Sequence, residues 1–572
     1  MNKKSIYREM DLEEKRLRRE AKKNHAKEAR NRVESRGANS TSILRFIIVG
    51  IVILIHLAIV IVVAFFLQEL GSSIITVEAN ETSDFVVFLY LLLQALSLVL
   101  YVGLRIAAVF VTLGLFGRVW NSAFKLPWII FISVSPVVGM LIYIMLGRRG
   151  TAGGRTKRRY QKIWEKLFPL YEQDPEVLEQ YKEKDPELYH QLYYLHHQAR
   201  YSAYKNTDVT YYSEGKDGLE AQIEELKKAE KFILFEYHAI ENQEAFERIK
   251  KVLFQKAAEG VEVRVFYDDM GSIGFINHKF RREMLIHGVK CRVFNPLKPL
   301  MIFFMNNRDH RKITVIDGKV GFTGGYNMAD EYFDITHPYG EWKDTGIKLE
   351  GEAVNSLSLI FFENWNGIKD TDSEEDIKKY LVDHSDFKAK EKDGVIIPYA
   401  DGPVDSYHYA ETTYMNVLRD SKHYVYITTP YLLITDEMER EIIDAAQRGI
   451  DVRIITPGIP DKGLVYKMTR SYYMNLAKAG VKIYEYKYGF VHSKMIIADD
   501  HMAVVGTINF DYRSLYHHFE NACLFSGYKC LEDIRKDFET MFPKCRYVSQ
   551  RHAEKKHLSL IETLLRLVAP LM

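Results

Sequence analysis

One short motif is written twice in this chain, and the duplication limits what the chain can be more than any other feature. The first copy runs His310-Arg311-Lys312, four residues, Asp317, six residues, then Gly324-Gly325-Tyr326-Asn327. The second runs His492-Ser493-Lys494, four residues, Asp499, six residues, then Gly506-Thr507-Ile508-Asn509. Histidine, lysine, aspartate, glycine and asparagine recur at one spacing, 182 residues apart (from 310 to 492). A lone His-x-Lys carries little information, whereas five matched positions in two settings carry a great deal.

The flanks repeat too. In the first half, Phe232–Tyr237 reads as a buried strand, Glu244–Glu259 as an amphipathic helix stopped by Gly260, and Val261–Phe266 as the next strand. The second half gives Tyr424–Thr428, a helix over Asp436–Arg448 stopped by Gly449, and a strand over Asp451–Ile455. Strands alternating with helices of this length predict α/β sheets covered on both faces. A chain of 572 residues is too long for one core.

The spacing inside the motif has a chemical reason. Ile313–Ile316 and Met495–Ala498 are apolar runs of strand type, so histidine and lysine, two apart, point to the same face at the strand's start. A histidine able to attack and a cation able to hold a phosphate thus meet one substrate. Gly324 and Gly506 suit a tight turn close to an anion, and Asn327 and Asn509 can donate amide hydrogens to phosphate oxygens. A metal site is disfavoured, because each lysine places an ammonium beside the cation. Asp317 and Asp499 lie beyond the apolar runs, either as bases or as ties between the strand end and a neighbouring loop.

Each histidine also needs an acceptor for its second nitrogen. Asp344 and Glu520 occupy matching places, each followed seven residues later by a glycine, Gly351 and Gly527. They are the candidate orienting groups, the alternative being surface carboxylates at strand starts.

Composition matters mainly at the N-terminus. Residues 1–45 form a basic arm, too long for the charged region of a secretory signal. Apolar blocks follow over Phe46–Leu67, Phe85–Phe116 and Trp128–Leu146, giving two or three membrane crossings. The basic arm and the cluster from Arg148 to Arg159 both ask to be cytoplasmic, which three full crossings forbid. Either one of the later blocks is re-entrant, for which Pro136 and Gly139 in the third supply a helix-weakening pair, or the rule fails here; the catalytic portion is expected on the cytoplasmic side. The net charge of +2, from 78 basic and 76 acidic residues, argues against a nucleic-acid partner. Cys291, Cys523, Cys530 and Cys545 have neither zinc-site nor disulfide-framework spacing and read as buried thiols.

The paired motifs resemble the H-x-K-x4-D signatures of the phospholipase D superfamily. More narrowly the chain is similar to bacterial cardiolipin synthases, through Asn307-Arg308-Asp309-His310-Arg311-Lys312, Gly324-Gly325-Tyr326-Asn327, Thr429-Pro430-Tyr431, Tyr484-Glu485-Tyr486, Asp511-Tyr512-Arg513-Ser514 and Phe519-Glu520-Asn521. The resemblance runs from about residue 85 to the C-terminus and leaves out the basic arm. It implies an N-terminal set of transmembrane helices and then two duplicated α/β sandwich halves that share one active site. His310, Lys312, Asp317, His492, Lys494 and Asp499 are its catalytic set, with no cofactor and no metal. It further implies that His310 attacks the phosphorus of one phosphatidylglycerol while His492 protonates the departing glycerol. A second phosphatidylglycerol then displaces the phosphohistidine to give cardiolipin. Lys312, Lys494, Asn327 and Asn509 hold the phosphoryl oxygens. A hydrolase, or a transferase using another alcohol, shares these motifs. Where the superfamily often has serine after the motif glycine, Thr507 keeps a hydroxyl and Gly325 does not.

The expected divisions are the arm (1–45), a membrane region (46–146), a basic linker and helical stretch (147–210), a first half (211–366), a polar linker (367–394) and a second half (395–572). Two segments suit lipid contact: the apolar run Leu297–Met305 before His310, and Leu558–Leu571, where Glu562 and Arg566 stand four apart on an interfacial or packing helix.

Overall fold

A computed structural model describes residues 84–571 apart from 119, 148–153, 172 and 297–306, together with positions 16, 19 and 23. The block Phe46–Leu67, nearly all of the basic arm and the run Leu297–Met305 lie outside the described residues.

The body is built on two sheets with the same order of strands. The first runs Thr207–Tyr212, Gly346–Gly351, Val320–Gly324, Lys312–Ile316, Phe232–Tyr237, Glu262–Asp268, Lys290–Phe294. The second runs Val395–Asp401, His518–Ser526, Met502–Gly506, Met495–Ala498, Tyr424–Thr428, Asp451–Pro457, Lys482–Tyr486, and adds Cys545–Tyr547 at its edge. In each, the motif strand lies antiparallel to the first strand of a parallel trio. The connecting helices end where the sequence stops them. Gly260 and Gly449 take φ of +94° and +92°, a left-handed conformation that glycine adopts without strain.

The sheets meet face to face. Leu234, Ile313, Val315, Ile347 and Leu349 of the first share one apolar core with Val425, Ile427, Ile454, Ile496 and Val504 of the second. The helix Ala353–Ile368, buried over almost its whole length, joins the same core. Such an interface cannot come apart without exposing both sheets' inner faces, so the halves fold as one body.

The N-terminal part departs from the expected crossings. Asp84–Phe116 is one helix of 33 residues, and its stretch Leu98–Phe116 is long and apolar enough to cross a membrane. The third block is instead a hairpin. It breaks at Ser135-Pro136 into helices Ser122–Val134 and Pro136–Leu146, of 13 and 11 residues. At 1.5 Å per residue these span about 20 and 17 Å, short of a hydrocarbon core of about 30 Å. Proline starts the second helix, where its missing N–H costs nothing. Gly139 lets the arms touch, since a Cβ there would lie 2.7 Å from Ile132 Cα.

Two local readings need correction. The basic linker is helical from Gly154 to Leu167, because Tyr160, Ile163 and Leu167 recur at helical spacing and bury against the body. The pairing of Glu562 with Arg566 is not made. Glu562 caps the helix Leu560–Val568 through Ser559 and meets Lys555 at 3.0 Å, while Arg566 reaches Glu439 at 2.5 Å. That helix therefore ties one face to the body and leaves Leu560, Ile561 and Leu564 exposed.

Candidate active site

The residues just before each motif histidine leave their own sheet and pair with the other half. Arg308–Asp309 runs parallel to His518–Phe519, and Gly489–Val491 runs parallel to Glu341–Lys343. The N–H of His310 donates to the Phe519 carbonyl at 2.8 Å, and that of His492 to the Lys343 carbonyl at 2.7 Å. This exchange sets the side chains. His310 Nδ1 lies 2.8 Å from Glu520 Oε2, and His492 Nδ1 lies 2.6 Å from Asp344 Oδ2. Each histidine is thus held by a carboxylate of the opposite half. Asp344 stays a carboxylate and only accepts, so the His492 Nδ1 carries the proton and its Nε2 keeps the lone pair.

Lys312 Nζ donates to the His310 carbonyl at 2.6 Å. Lys494 Nζ donates to the His492 carbonyl and lies 2.7 Å from the Nδ1 and 2.9 Å from the Nε2 of that ring. Burial, then Lys312 and two neighbouring histidines, drives His310 well below the ordinary imidazole value. Burial and Lys494 bring His492 down to about 4 against the pull of Asp344. Both rings are neutral at neutral pH, the state in which an imidazole can attack. Burial lowers Lys312 to about 8 and Lys494 to about 7, opposed by Glu520 and Asp344 respectively.

The carboxylates differ. Burial raises Glu520 well above its usual range, with Lys312 opposing only in part. Burial also pushes Asp344 up, but His492 and Lys494 outweigh it and hold Asp344 low. The residue after each motif glycine contributes to this contrast. Thr507 gives its hydroxyl to Glu520, so that hydroxyl is engaged by a carboxylate. At Gly325 a side chain would collide with Asp344 Oδ1, so only glycine lets Asp344 approach.

Asn327 and Asn509 are buried. The Asn327 amide donates to Tyr332 Oη at 2.9 Å and that of Asn509 to Asp511 at 3.2 Å. Each amide nitrogen has a second hydrogen for a ligand. Asp317 and Asp499 do not join the site. They sit past the far end of their strands, Asp317 about 16 Å from Lys312 along the chain. The Asp317 carboxylate accepts the N–H groups of Glu230, Lys231 and Phe232, and Asp499 those of Lys422, His423 and Tyr424. Their place among the catalytic residues is therefore corrected: they clamp the start of the neighbouring strand.

Several site residues went unnoticed in the sequence. The rings of His238 and His518 lie 4.9 and 5.2 Å from that of His310. Around His492 stand Tyr332, Trp342 and Phe490, at 5.1, 5.5 and 6.0 Å. His238 was findable, since it follows the carboxyl end of a parallel strand, where ligands gather in open α/β sheets. His310, His518 and Glu520 bring three possible metal-ligand atoms within 4.8 Å of one another. Lys312 on His310 and Arg513, whose Nε lies 3.2 Å from His518 Nε2, make that spot cationic and better suited to an anion.

The membrane-proximal hairpin docks on the same region. Phe124 meets Tyr512, Tyr516 and His517 at 5.5, 4.9 and 5.5 Å, and the Asn121 amide donates to Glu437 at 2.8 Å. The chain from Tyr512 leads directly into the strand that carries Glu520.

Known proteins share this arrangement. Residues 222–340 and 414–542 match the family described as cardiolipin synthase, PLD-like domain. The chain is 40% identical over 449 residues to an uncharacterised protein of Streptococcus mutans, covering 78% of this chain and 96% of that one. It is 33% identical over 460 residues to a cardiolipin synthase of Geobacillus thermodenitrificans, covering 79% and 89%. It is 34% identical over 464 residues to cardiolipin synthase 2 of Bacillus cereus, covering 78% and 86%.

Proposed function

This chain belongs to the cardiolipin synthase family of phospholipase D-like phosphatidyltransferases, and on that footing we propose how its site makes cardiolipin from two molecules of phosphatidylglycerol. The observation that carries the reading is the pair of neutral histidines, each held by a carboxylate of the other half, with a buried lysine beside each.

One histidine uses its free Nε2 to attack the phosphorus of the first phosphatidylglycerol. An N–P bond forms as the P–O bond to glycerol breaks, and the other histidine, which takes up a proton at Nε2 as the anionic substrate enters, gives that proton to the departing oxygen. A hydroxyl of the second phosphatidylglycerol then gives its proton to that same histidine and attacks phosphorus. The new P–O bond forms as the N–P bond breaks, leaving cardiolipin and restoring the enzyme. Lys312 and Lys494 neutralise the phosphoryl oxygens, and the spare hydrogens of Asn327 and Asn509 point the same group. Asp344 fixes the tautomer of His492, and Glu520 orients the ring of His310.

Substrate of this kind lives in a bilayer. The short hairpin helices and the single long apolar stretch among the described residues, Leu98–Phe116, support a reading with two crossings, the other being the apolar sequence 46–67, in which the basic arm, the Arg155–Arg159 cluster and the catalytic body share the cytoplasmic side.

The test is to incubate purified protein with phosphatidylglycerol vesicles, without nucleotide or added metal, and to measure cardiolipin and glycerol. Equal amounts of the two are expected, and His310→Ala and His492→Ala each abolish both. Phosphatidic acid as the sole lipid product would overturn transfer in favour of hydrolysis.

A further inference from the structure

Buried arginines in this protein come with a counter-charge. Arg264 meets Asp372 at 2.8 Å, Arg308 meets Asp268 at 3.0 Å, Arg311 meets Glu363 at 2.6 Å and Arg546 meets Glu485 at 3.3 Å. Arg513, which is half-buried, breaks the pattern. Its Nε donates to His518 Nε2 at 3.2 Å, and its two terminal nitrogens have no partner among the described residues. The nearby acids are engaged elsewhere: Asp268 with Arg308 and the backbone N–H groups of Met270, Gly271 and Asp309, Asp511 with the N–H of Ser514 and the amide of Asn509. Burial pulls the Arg513 guanidinium below its ordinary value, and Asp511 and Asp268 oppose this only in part. Neither carboxylate hydrogen-bonds its terminal nitrogens, which leaves that edge open to an incoming anion.

Its place says which anion. Arg513 stands one imidazole away from His310, since His518, whose Nε2 it holds, has its ring 5.2 Å from that of His310. The phosphate under attack already has Lys312 and Lys494. Cardiolipin carries two phosphates joined by a three-carbon bridge, so an enzyme that makes it must also receive the phosphate of the incoming lipid. An enzyme that passes the phosphatidyl group to water has no second phosphate to hold.

We infer that the free edge of the Arg513 guanidinium is the subsite for the phosphate of the acceptor phosphatidylglycerol. This rests on the transferase reading above and adds to it a group that separates a phospholipid acceptor from water or a small alcohol. Two parallel N–H groups match a phosphate's oxygens, which a lysine's single ammonium does not.

The experiment follows two reactions of one preparation in phosphatidylglycerol vesicles supplied with labelled glycerol. Entry of label into phosphatidylglycerol reports attack, glycerol exchange and a folded site; cardiolipin reports use of the lipid acceptor. Arg513→Gln is expected to lower the ratio of cardiolipin formation to glycerol exchange about ten- to a hundredfold, with released phosphatidic acid rising. Arg513→Lys should recover part of the loss. A parallel fall in both reactions, or no change in either, overturns the subsite. If the unaltered protein exchanges glycerol and makes no cardiolipin, the transferase reading itself fails.

Discussion

His310 and His492 sit at the same point of two copies of one motif, yet their neighbourhoods are unlike. His310 is ringed by other polar groups, His238, His518 and, one ring further out, Arg513, and its carboxyl partner is pushed toward its protonated form. His492 is enclosed by Tyr332, Trp342 and Phe490, has Lys494 against its ring, and its carboxylate is held low. Duplication supplied two equal histidines, and the surroundings made them unequal. Two-step transfer needs this inequality, because one imidazole has to bond to phosphorus while the other carries a proton.

The sharpest way to break the comparison is at the carboxylates. Asp344 is an anion that fixes the tautomer of His492, so Asp344→Asn should cost about 10³- to 10⁴-fold in kcat. Glu520 sits high enough that Glu520→Gln removes less charge, and a loss of about tenfold is expected. Equal losses, measured as cardiolipin formed at saturating lipid, would mean that the halves do the same work. Next comes the residue after the motif glycine. Gly325→Thr drives a side chain into Asp344 and should cost about a hundredfold, whereas Thr507→Ala removes one hydroxyl from Glu520 and should cost only a few-fold. The smallest effect is in pH dependence. Lys494 titrates near pH 7 in the free protein, and only its protonated form attracts a phosphate. As pH rises through 7 that charge is lost, so KM for phosphatidylglycerol should climb by up to about tenfold per pH unit while kcat changes less. A flat KM across neutral and alkaline pH would remove Lys494 from phosphate binding.

Much of this was legible before any coordinates. The repeat placed the strands Lys312–Ile316 and Met495–Ala498, and the offset to Gly351 and Gly527 singled out Asp344 and Glu520. The crossing of the pairs was not legible, since one motif's spacing says nothing about which half a neighbour comes from. Asp317 and Asp499 look catalytic by motif membership, but strands of five and four residues carry them away from the histidines. The break in the third apolar block was legible in Pro136 and Gly139; that its two arms pack on each other, Gly139 against Ile132, was not. Arg513 was visible only as part of a shared string, because a missing counter-ion is a property of three dimensions.

The exchange of short strands between halves also governs when the site can exist. His310 waits for a carboxylate 210 residues further on, and Asp344 waits 148 residues for its histidine. A chain made from its N-terminus therefore completes its first sheet with no working histidine pair. The chemistry is switched on only when the last portion has left the ribosome and closed over the first, so a product truncated before Glu520 is inert.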